Sequence, residues 1–229
     1  MINDFFAQSV YFGFVISLLG YMLGLWVNKK IKFVTPLLTA MLSVIAFLLV
    51  FDIEFSTYQK GASYISGFLT PATVCLTVPL YRQLALLKKY KTAIFSAIFV
   101  GVITAMLCIF VMAFLFGVSN EIYASVLPKS ITTAIGMEVA GAIGGIPEIA
   151  IASITITGIF GNLAGEYILK LFRIKNPIAV GLALGTSAHA IGTSKALELG
   201  EIQGAMSSLS ITVAGLLTVL IAPLFSGLI

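Results

Sequence analysis

Long apolar stretches separated by short charged ones make up most of this sequence. Five of them contain no charged residue, and each is long enough to cross the hydrocarbon core of a bilayer, which takes about 20 residues of helix. They are Phe5–Asn28, Phe33–Phe51, Gly61–Tyr81, Thr92–Asn120 and Ile202–Ile229. A sixth stretch, Ile149–Leu169, has Glu166 as its one charged residue. The pattern predicts an all-α polytopic membrane protein with about six full spans.

Two further segments are apolar but rich in glycine, proline and polar residues. The first is Ser125–Glu148, with the sequence SVLPKSITTAIGMEVAGAIGGIPE, and the second is Pro177–Gly200. An interrupted helix is tolerated at membrane depth only where its free backbone groups are buried in protein or face a water-filled cavity. We therefore predict two broken or re-entrant segments in addition to the six spans. Their interior contains the ionisable residues Lys129, Glu138, His189 and Lys195.

The basic residues form three short clusters between the apolar stretches. Cytoplasmic loops are enriched in Lys and Arg, so all three clusters are expected in the cytoplasm. This arrangement places both termini outside, and it requires Ser125–Glu148 to enter and leave the membrane on the same side. The clusters are Lys29, Lys30 and Lys32; Arg82, Lys88, Lys89 and Lys91; and Lys170, Arg173 and Lys175.

The second half of the chain contains an internal repeat at a spacing of 56 residues. Ala134-Ile135-Gly136 matches Ala190-Ile191-Gly192, and after one inserted residue Ser153-Ile154-Thr155 matches Ser210-Ile211-Thr212. Each repeat consists of a broken segment and one full span, so the second copy has the opposite orientation in the membrane. Such an inverted repeat is typical of secondary transporters, whose substrate site lies near the bilayer midplane.

The repeat predicts a division of the chain into two functional parts. Residues 1–120 are expected to form a scaffold that dimerises, and they include a proline-broken span at 61–81. Residues 121–229 are expected to form the transport part, because inverted-repeat transporters move a substrate-bearing bundle against a fixed scaffold.

Composition supports a membrane protein and excludes other classes. The chain is 59% hydrophobic and 10% charged, whereas a soluble domain has about 25% charged residues. Its net charge of +4 comes from the clusters between spans, which argues against nucleic-acid binding. Cys75 and Cys108 lie in apolar stretches without metal-ligand spacing and are interpreted as packing residues. Without a CxxC, HExxH, P-loop or GxSxG motif, we expect neither an enzyme nor a metal or cofactor site.

The first broken segment contains a cation next to hydroxyl groups. Lys129 is followed by Ser130, Thr132 and Thr133, near a predicted helix N-terminus whose backbone N–H groups also attract anions. This run predicts a site for a small carboxylate. The alternative is that Lys129 extends to the outer interface of the membrane.

The second broken segment adds further polar candidates. Thr186, Ser187, Thr193 and Ser194 surround His189, the one histidine of the chain. Since the two segments enter from opposite sides, we expect Lys129–Thr133 and Thr186–Ser194 to meet near mid-membrane and bind the substrate.

Two residues are candidates for proton coupling. Glu138 becomes a proton carrier if a desolvated site raises its pKa, whereas an ion pair with Lys129 or Lys195 is the alternative. His189 suits a proton relay or a substrate donor because it titrates near neutral pH, and a packed, hydrogen-bonded histidine is the alternative.

A similar combination of prolines and hydroxyl groups occurs in the first half of the chain. The stretch Gly67–Gln83, GFLTPATVCLTVPLYRQ, contains Pro71 and Pro79, each of which removes a backbone donor. The threonines of this stretch are expected to satisfy freed carbonyl groups or to line a cavity. They are Thr70, Thr73 and Thr77.

Four motifs in order resemble the LrgB/CidB family over nearly the whole chain. They are LTPATVCLTVPLYRQ, LPKSITTAIGMEVA, IGGIP and the long run that begins NPIAVGLALGTSAHAIGTSKALELG. The family includes bacterial proteins called antiholin-like and the C-terminal part of the plant plastidial glycolate/glycerate translocator. The sequence departs from the family pattern at Ala134, where proline is usual.

The resemblance implies two functions of different classes. One is a secondary transporter of small monocarboxylates such as glycolate, glycerate, lactate or pyruvate, with proton coupling as an option. The alternative is an antiholin-like regulator of murein hydrolase activity and cell lysis. It also implies a bacterial cytoplasmic (inner) membrane protein with an LrgA-type membrane partner. The polar residues on broken segments favour the transporter, because a holin-like assembly needs no buried Lys, Glu and His.

Overall fold

The computed structural model describes residues 9–31, 34–75 and 77–229, without the side chains at positions 69, 70, 73, 77, 79 and 80. Every regular element within these ranges is a helix. The helices are, in chain order, α1 (Phe12–Lys30), α2 (Pro36–Val50), α3 (Phe55–Ser66), α4 (Leu69–Cys75), α5 (Thr77–Arg82), α6 (Leu84–Phe116), α7 (Asn120–Val126), α8 (Thr133–Ala142), α9 (Pro147–Leu171), α10 (Pro177–Leu199) and α11 (Glu201–Ser226). The chain is an all-helical membrane protein.

Two compact units make up the chain, Met1–Cys75 and Leu76–Ile229. The boundary between these units, at residues 75 and 76, differs from the predicted boundary at residues 120 and 121. The units are groups of residues that pack together, whereas the predicted parts are a fixed scaffold and a part that moves during transport. The division into scaffold and transport part therefore stays a prediction.

Four described helices are long and apolar enough to cross a membrane: α1, α6, α9 and α11. Helix α2 is apolar but has only 15 residues, which at about 1.5 Å per residue falls short of the roughly 30 Å hydrocarbon core. The structure thus supports a multi-span protein with four candidate spans, fewer than the six that the apolar stretches predict.

The predicted span at 61–81 is the clearest difference. Helix α3 ends at Ser66, a turn follows at Gly67 and Phe68, and helical residues resume at Leu69. Pro71 occupies the third position of α4, where a missing N–H removes no helical hydrogen bond. The described break in this stretch therefore lies before Pro71, and position 76, between α4 and α5, lies outside the described residues.

Small residues bring the helices of the first unit together. A Cβ atom at Gly20 of α1 would lie 3.1 Å from Ser43 Oγ of α2, so the two backbones approach more closely than larger residues would allow. Ser17 and Tyr58 join their hydroxyl groups at 2.9 Å and connect α1 to α3.

The core of the second unit lies along one face of α6. This face repeats every three to four residues, as a buried helical stripe does. Its buried members are Ile94, Ile98, Val102, Met106, Ile109 and Ala113. They pack with α11 and with the segment around Tyr123, whose hydroxyl donates to the Phe225 carbonyl at 2.9 Å.

The first predicted broken segment forms a helical hairpin. Its arms are α7 and α8, and its tip is the turn of residues 127–132. The segment that follows α8 returns to the C-terminal end of α7, where the Ile146 N–H donates to Ser125 Oγ at 2.7 Å. A Cβ atom at Gly136 would lie 3.4 Å from the Pro128 carbonyl oxygen, which brings the arms together near the tip. Tyr123 places the base of this hairpin beside the C-terminal end of α11.

The second predicted broken segment, α10, also folds back on itself. Its backbone leaves the helical conformation at Ala188 and at His189, where φ is 42° and ψ is −135°. Leu184 packs on Gly165 of α9, and Lys195 binds the adjacent Glu166, so the residues before and after the break lie at the same level of α9. The break therefore forms the tip of a second hairpin. Its base lies beside the N-terminal end of α11, because Gly181 packs against Gln203.

Candidate functional site

A pocket lies in the second unit where the tip of the first hairpin approaches the inner arm of the second. It encloses about 240 Å³ of space free of atoms, part of which is open to the surroundings. The room in it for the centre of a water-sized sphere is only about that of one water molecule, so a larger ligand fits only if the surrounding side chains move. The lining residues come from α6, the first tip, α10 and α11: Val102, Ala105, Met106, Leu127, Ser130, Ile131, Thr186, Ala214 and Thr218.

The polar groups of the pocket are three hydroxyls from three elements. Ser130 lies on the first tip, Thr186 on α10 and Thr218 on α11. Thr186 is only 9% exposed and Thr218 only 3%, and no described group forms a hydrogen bond with either hydroxyl. Neither hydroxyl oxygen is sealed from solvent, because every fully buried side-chain oxygen among the described residues has a hydrogen-bond partner. Both hydroxyls are therefore open to the pocket, where water or a ligand can bond to them.

The other buried hydroxyls of the second unit behave differently within the described ranges. Each has at least one hydrogen bond to a protein group, as buried polar side chains usually do. These residues are Ser125, Thr193, Ser207, Ser208 and Ser210. Among these buried residues, only the pocket-lining Thr186 and Thr218 have hydroxyl groups that are free to bond to a ligand or to water.

Lys129 precedes Ser130 on the first tip and is half-buried. Among the described residues, no carboxylate lies within 4.0 Å of its ammonium group. A cation in an apolar surrounding without a counter-charge is unfavourable, so the tip suits an anion. Lys129 does not form the pair with Glu138 that the sequence offered as an alternative, and Glu138 itself is exposed.

His189 occupies the tip of the second hairpin and is 3% exposed. Its Nε2 lies 3.0 Å from the Ile154 carbonyl oxygen of α9, which requires a proton on that nitrogen. A positive φ is rare for a residue with a side chain, and His189 holds one at 42°. Gly158 and Gly161 make room on α9 for the His189 ring and for Ala188. The ring thus fastens the tip to α9.

The remaining predicted residues of the second hairpin bond to protein groups. Thr193 donates to the His189 carbonyl and shares a 2.7 Å hydrogen bond with Ser207. Ser187 and Ser194 are exposed and donate to carbonyls of their own helix, those of Ala183 and Ala190. Of the predicted set in this hairpin, Thr186 is the residue that faces the pocket.

Thr132 and Thr133 stand at the start of α8 and are half-buried. The helix begins at Thr133 although Ala134 replaces the proline of the family pattern. The side chains of Thr70, Thr73 and Thr77 lie outside the described part of the structure, so their predicted place in a cavity stays a prediction.

An ion-pair network joins α9 to the outer arm of α10. Glu166 binds Lys170 at 2.7 Å and Lys195 at 3.1 Å, and Lys195 also binds Glu198 at 3.4 Å. Lys195 is therefore paired with these carboxylates and not with Glu138. Among the described residues, no group of three His, Cys, Asp or Glu side chains could hold a metal ion.

The first hairpin contains the family motif LPKSITTAIGMEVA, and the second contains NPIAVGLALGTSAHAIGTSKALELG. The sequence profile of the LrgB-like family matches residues 17–228. The chain belongs to the LrgB-like family. The resemblance predicted from the motifs is thereby confirmed.

Curated members of the LrgB-like family cover nearly the same length. The antiholin-like protein LrgB of Bacillus cereus (strain B4264) is 41% identical over 221 residues, which are 95% of this chain and 96% of that protein. The antiholin-like protein LrgB of Bacillus anthracis (strain A0248) has the same identity and coverage. No solved structure matches the chain.

Thr218 is the polar pocket residue of this LrgB-like chain that was not predicted from the sequence. Its signal was a single hydroxyl in an otherwise apolar run, AGLLTVLIAP. Ala214 lies one turn before it and also lines the pocket, so the two form one face of α11. The polar residues predicted for the site lie on broken segments, whereas Thr218 lies on the unbroken helix α11.

Proposed function

We propose that this LrgB-like protein is a secondary transporter of small monocarboxylates that binds its substrate in the pocket between the two hairpins. The observation that carries the proposal is the pair of threonines, Thr186 and Thr218, whose hydroxyl groups bond to no described group and are open to that pocket. Lys129, next to Ser130 on the first tip, supplies the positive charge that a carboxylate requires. Removing a charge from water costs many kcal/mol unless such partners replace its hydration.

An inverted repeat supports this proposal. Ser130 and Thr186 stand at the repeat spacing of 56 residues, and both face the pocket. Gly144 and Gly200 stand at the same spacing, and both have positive φ at the outer end of their hairpin. We therefore infer that the hairpins are re-entrant copies of one unit that meet at a midplane substrate site, as in other inverted-repeat transporters.

The second candidate function is antiholin-like regulation of murein hydrolase activity and cell lysis. The names of the relatives favour it over the transporter. The two functions are compatible if altered carboxylate or proton balance triggers lysis indirectly.

We also propose a homodimer, an LrgA-type partner and a location in the bacterial cytoplasmic membrane, in line with the family resemblance.

Uptake by reconstituted protein tests the transporter. The purified chain in proteoliposomes is expected to accumulate labelled glycolate or lactate faster than protein-free vesicles, and an inward proton gradient is expected to increase the rate if Glu138 or His189 couples a proton. Thr133→Val is expected to lower uptake with normal amounts of folded protein, whereas His189→Ala is expected to lower both uptake and stability, because the buried ring holds the hairpin tip on α9. Absence of uptake, with and without the LrgA-type partner and the gradient, would contradict the proposal.

A transport-deficient variant separates the two functions in cells. Lys129→Ala and the wild type are expressed at equal levels, and detergent-induced autolysis is measured. The transporter proposal expects Lys129→Ala to lose any effect on autolysis together with uptake. An effect on autolysis that survives the loss of uptake supports an antiholin-like function of its own.

The re-entrant hairpins also make a topological prediction. If Ser125–Glu148 returns to its side of entry, the loop with Lys170, Arg173 and Lys175 faces the cytoplasm together with the two earlier basic clusters. A reporter inserted after Lys175 is expected to be inaccessible from outside the cell. Outside accessibility would mean that the segment crosses the membrane fully.

A further inference from the structure

The connection between α9 and α10 mixes basic and large apolar side chains, and all of them are exposed. Residues 170–175 have the sequence KLFRIK. Leu171 is 77% exposed and Phe172 is 71% exposed, and apolar side chains of this size favour lipid over water. A segment that combines exposed apolar and cationic side chains suits the boundary between lipid headgroups and acyl chains.

Arg173 has a backbone conformation in which helices usually end on glycine. Its φ is 57°, in the left-handed region that is unfavourable for a residue with a side chain. The Arg173 N–H donates to the Lys170 carbonyl and the Ile174 N–H donates to the Leu169 carbonyl, so backbone hydrogen bonds fix this turn. Glycine would form the same turn with less strain. The arginine therefore indicates a use for its guanidinium group.

Further basic residues lie at the same end of the second unit. Lys89 and Lys91 are exposed on either side of an interruption in α6. Arg82, two residues before α6, lies 4.0 Å from Glu201 at the start of α11. The base of the second hairpin, where α10 starts, lies beside the same end of α11. The starts of α6, α10 and α11 therefore meet at one end of the unit.

The basic residues Lys89, Lys91, Arg173 and Lys175, together called the basic end, have no counter-charge in the described part of the chain. No described carboxylate lies within 4.0 Å of any of them, and the carboxylates of α9, α10 and α11 near this end pair with other cations. Basic clusters next to a membrane span attract anionic headgroups. An anionic phospholipid supplies both the missing charge and acyl chains for the exposed apolar side chains of the connection.

We propose that the basic end binds the headgroups of anionic phospholipids and that this binding stabilises the folded protein. Inorganic phosphate has the charge but no acyl chains, so it binds far more weakly. The inference goes beyond the function proposed above and does not depend on it, because the surface lies apart from the pocket between the hairpin tips.

Thermal unfolding of the full chain in a neutral detergent tests the proposal. Short-chain phosphatidylglycerol is expected to raise the unfolding temperature by several degrees, because a ligand of the folded state stabilises it. The same concentration of short-chain phosphatidylcholine or of inorganic phosphate is expected to leave the temperature unchanged. An absent shift with phosphatidylglycerol, or an equal shift with phosphatidylcholine or phosphate, would overturn the proposal.

A pair of double variants tests where the lipid binds. Lys89→Gln with Lys91→Gln is expected to raise the phosphatidylglycerol concentration needed for half of the shift at least tenfold, since each Lys or Arg near an anionic surface strengthens binding about fivefold. Lys29→Gln with Lys30→Gln removes two exposed charges from the end of α1 in the first unit. It is expected to need the wild-type concentration. Equal losses in both double variants would show a general effect of net charge and overturn the assignment.

Arg173→Gly separates lipid binding from a structural role of the connection. Without lipid, its unfolding temperature is expected to be at least that of the wild type, because glycine adopts the left-handed conformation without strain. With phosphatidylglycerol, its shift is expected to be smaller than that of the wild type, because one cation of the surface is lost. A wild-type response to phosphatidylglycerol in Arg173→Gly or in Lys89→Gln with Lys91→Gln would overturn the inference.

Discussion

Replacing Lys129 by alanine is expected to lower carboxylate uptake about a hundredfold. Lys129 is the cation of the first tip, next to the pocket-lining Ser130, and no described carboxylate neutralises it. A substrate carboxylate that loses its buried charge partner loses about 2–5 kcal/mol of binding, and each 1.4 kcal/mol is a factor of about ten. Initial rates at low glycolate concentration in proteoliposomes measure the effect.

The matched control for this prediction is Lys88→Ala, in which an exposed lysine at the start of α6 is removed. It has no place in the proposed site and is expected to transport like the wild type. Lys129→Arg keeps the charge and is expected to recover part of the rate. If Lys129→Ala transports normally at the same protein level, Lys129 extends to the membrane interface instead and the carboxylate is bound elsewhere.

Replacing Gly161 by alanine is expected to lower the free energy of unfolding by about 1–3 kcal/mol, the usual cost of overpacking. A Cβ atom at this position of α9 would collide with the Ala188 methyl group at the tip of the second hairpin. The displaced tip is also expected to slow uptake, because Thr186 lies two residues before Ala188 on the same hairpin. Thermal unfolding in detergent and uptake are the two measurements.

A compensating exchange tests whether this contact is the cause. Gly161→Ala combined with Ala188→Gly moves the methyl group from one helix to the other and is expected to recover most of the stability. Gly227→Ala is the control, since a Cβ atom there meets nothing within 4 Å. Equal damage in the single and double variants would show that the hairpin tip does not pack on α9 as described.

The sequence predicted the second half of the chain better than the first. Glycines and prolines within apolar segments led us to predict two interrupted segments, and the backbone leaves the helix at residues 127–132 and at Ala188 and His189. The second break lies at neither a glycine nor a proline, so the composition predicted the segment but not the position of its break. In the first half the same reasoning predicted one proline-broken span at 61–81. Absence of charge shows that a stretch tolerates lipid, but it does not show that the helix is interrupted by a turn at Gly67 and Phe68.

The candidate site could be predicted only in part. Ser130 and Thr186 were among the predicted residues and do line the pocket. The polarity of a residue does not show whether its hydroxyl is hydrogen-bonded to another protein group, as the Thr193 hydroxyl is to that of Ser207. Nor does it reveal that Thr218 has no such partner, since hydrogen bonds between helices depend on packing that no local pattern contains.

The central claim is that the pocket between the hairpin tips binds the carboxylate, and substrate protection of a cysteine at Ser130 tests it most directly. Ser130→Cys is made in a chain whose exposed Cys75 and Cys108 are changed to serine, and its alkylation by a small thiol reagent is timed in detergent. Glycolate is expected to slow the reaction several-fold, whereas a cysteine at exposed Ser56 is expected to react at an unchanged rate. Equal rates with and without saturating carboxylate at Ser130→Cys would contradict the claim.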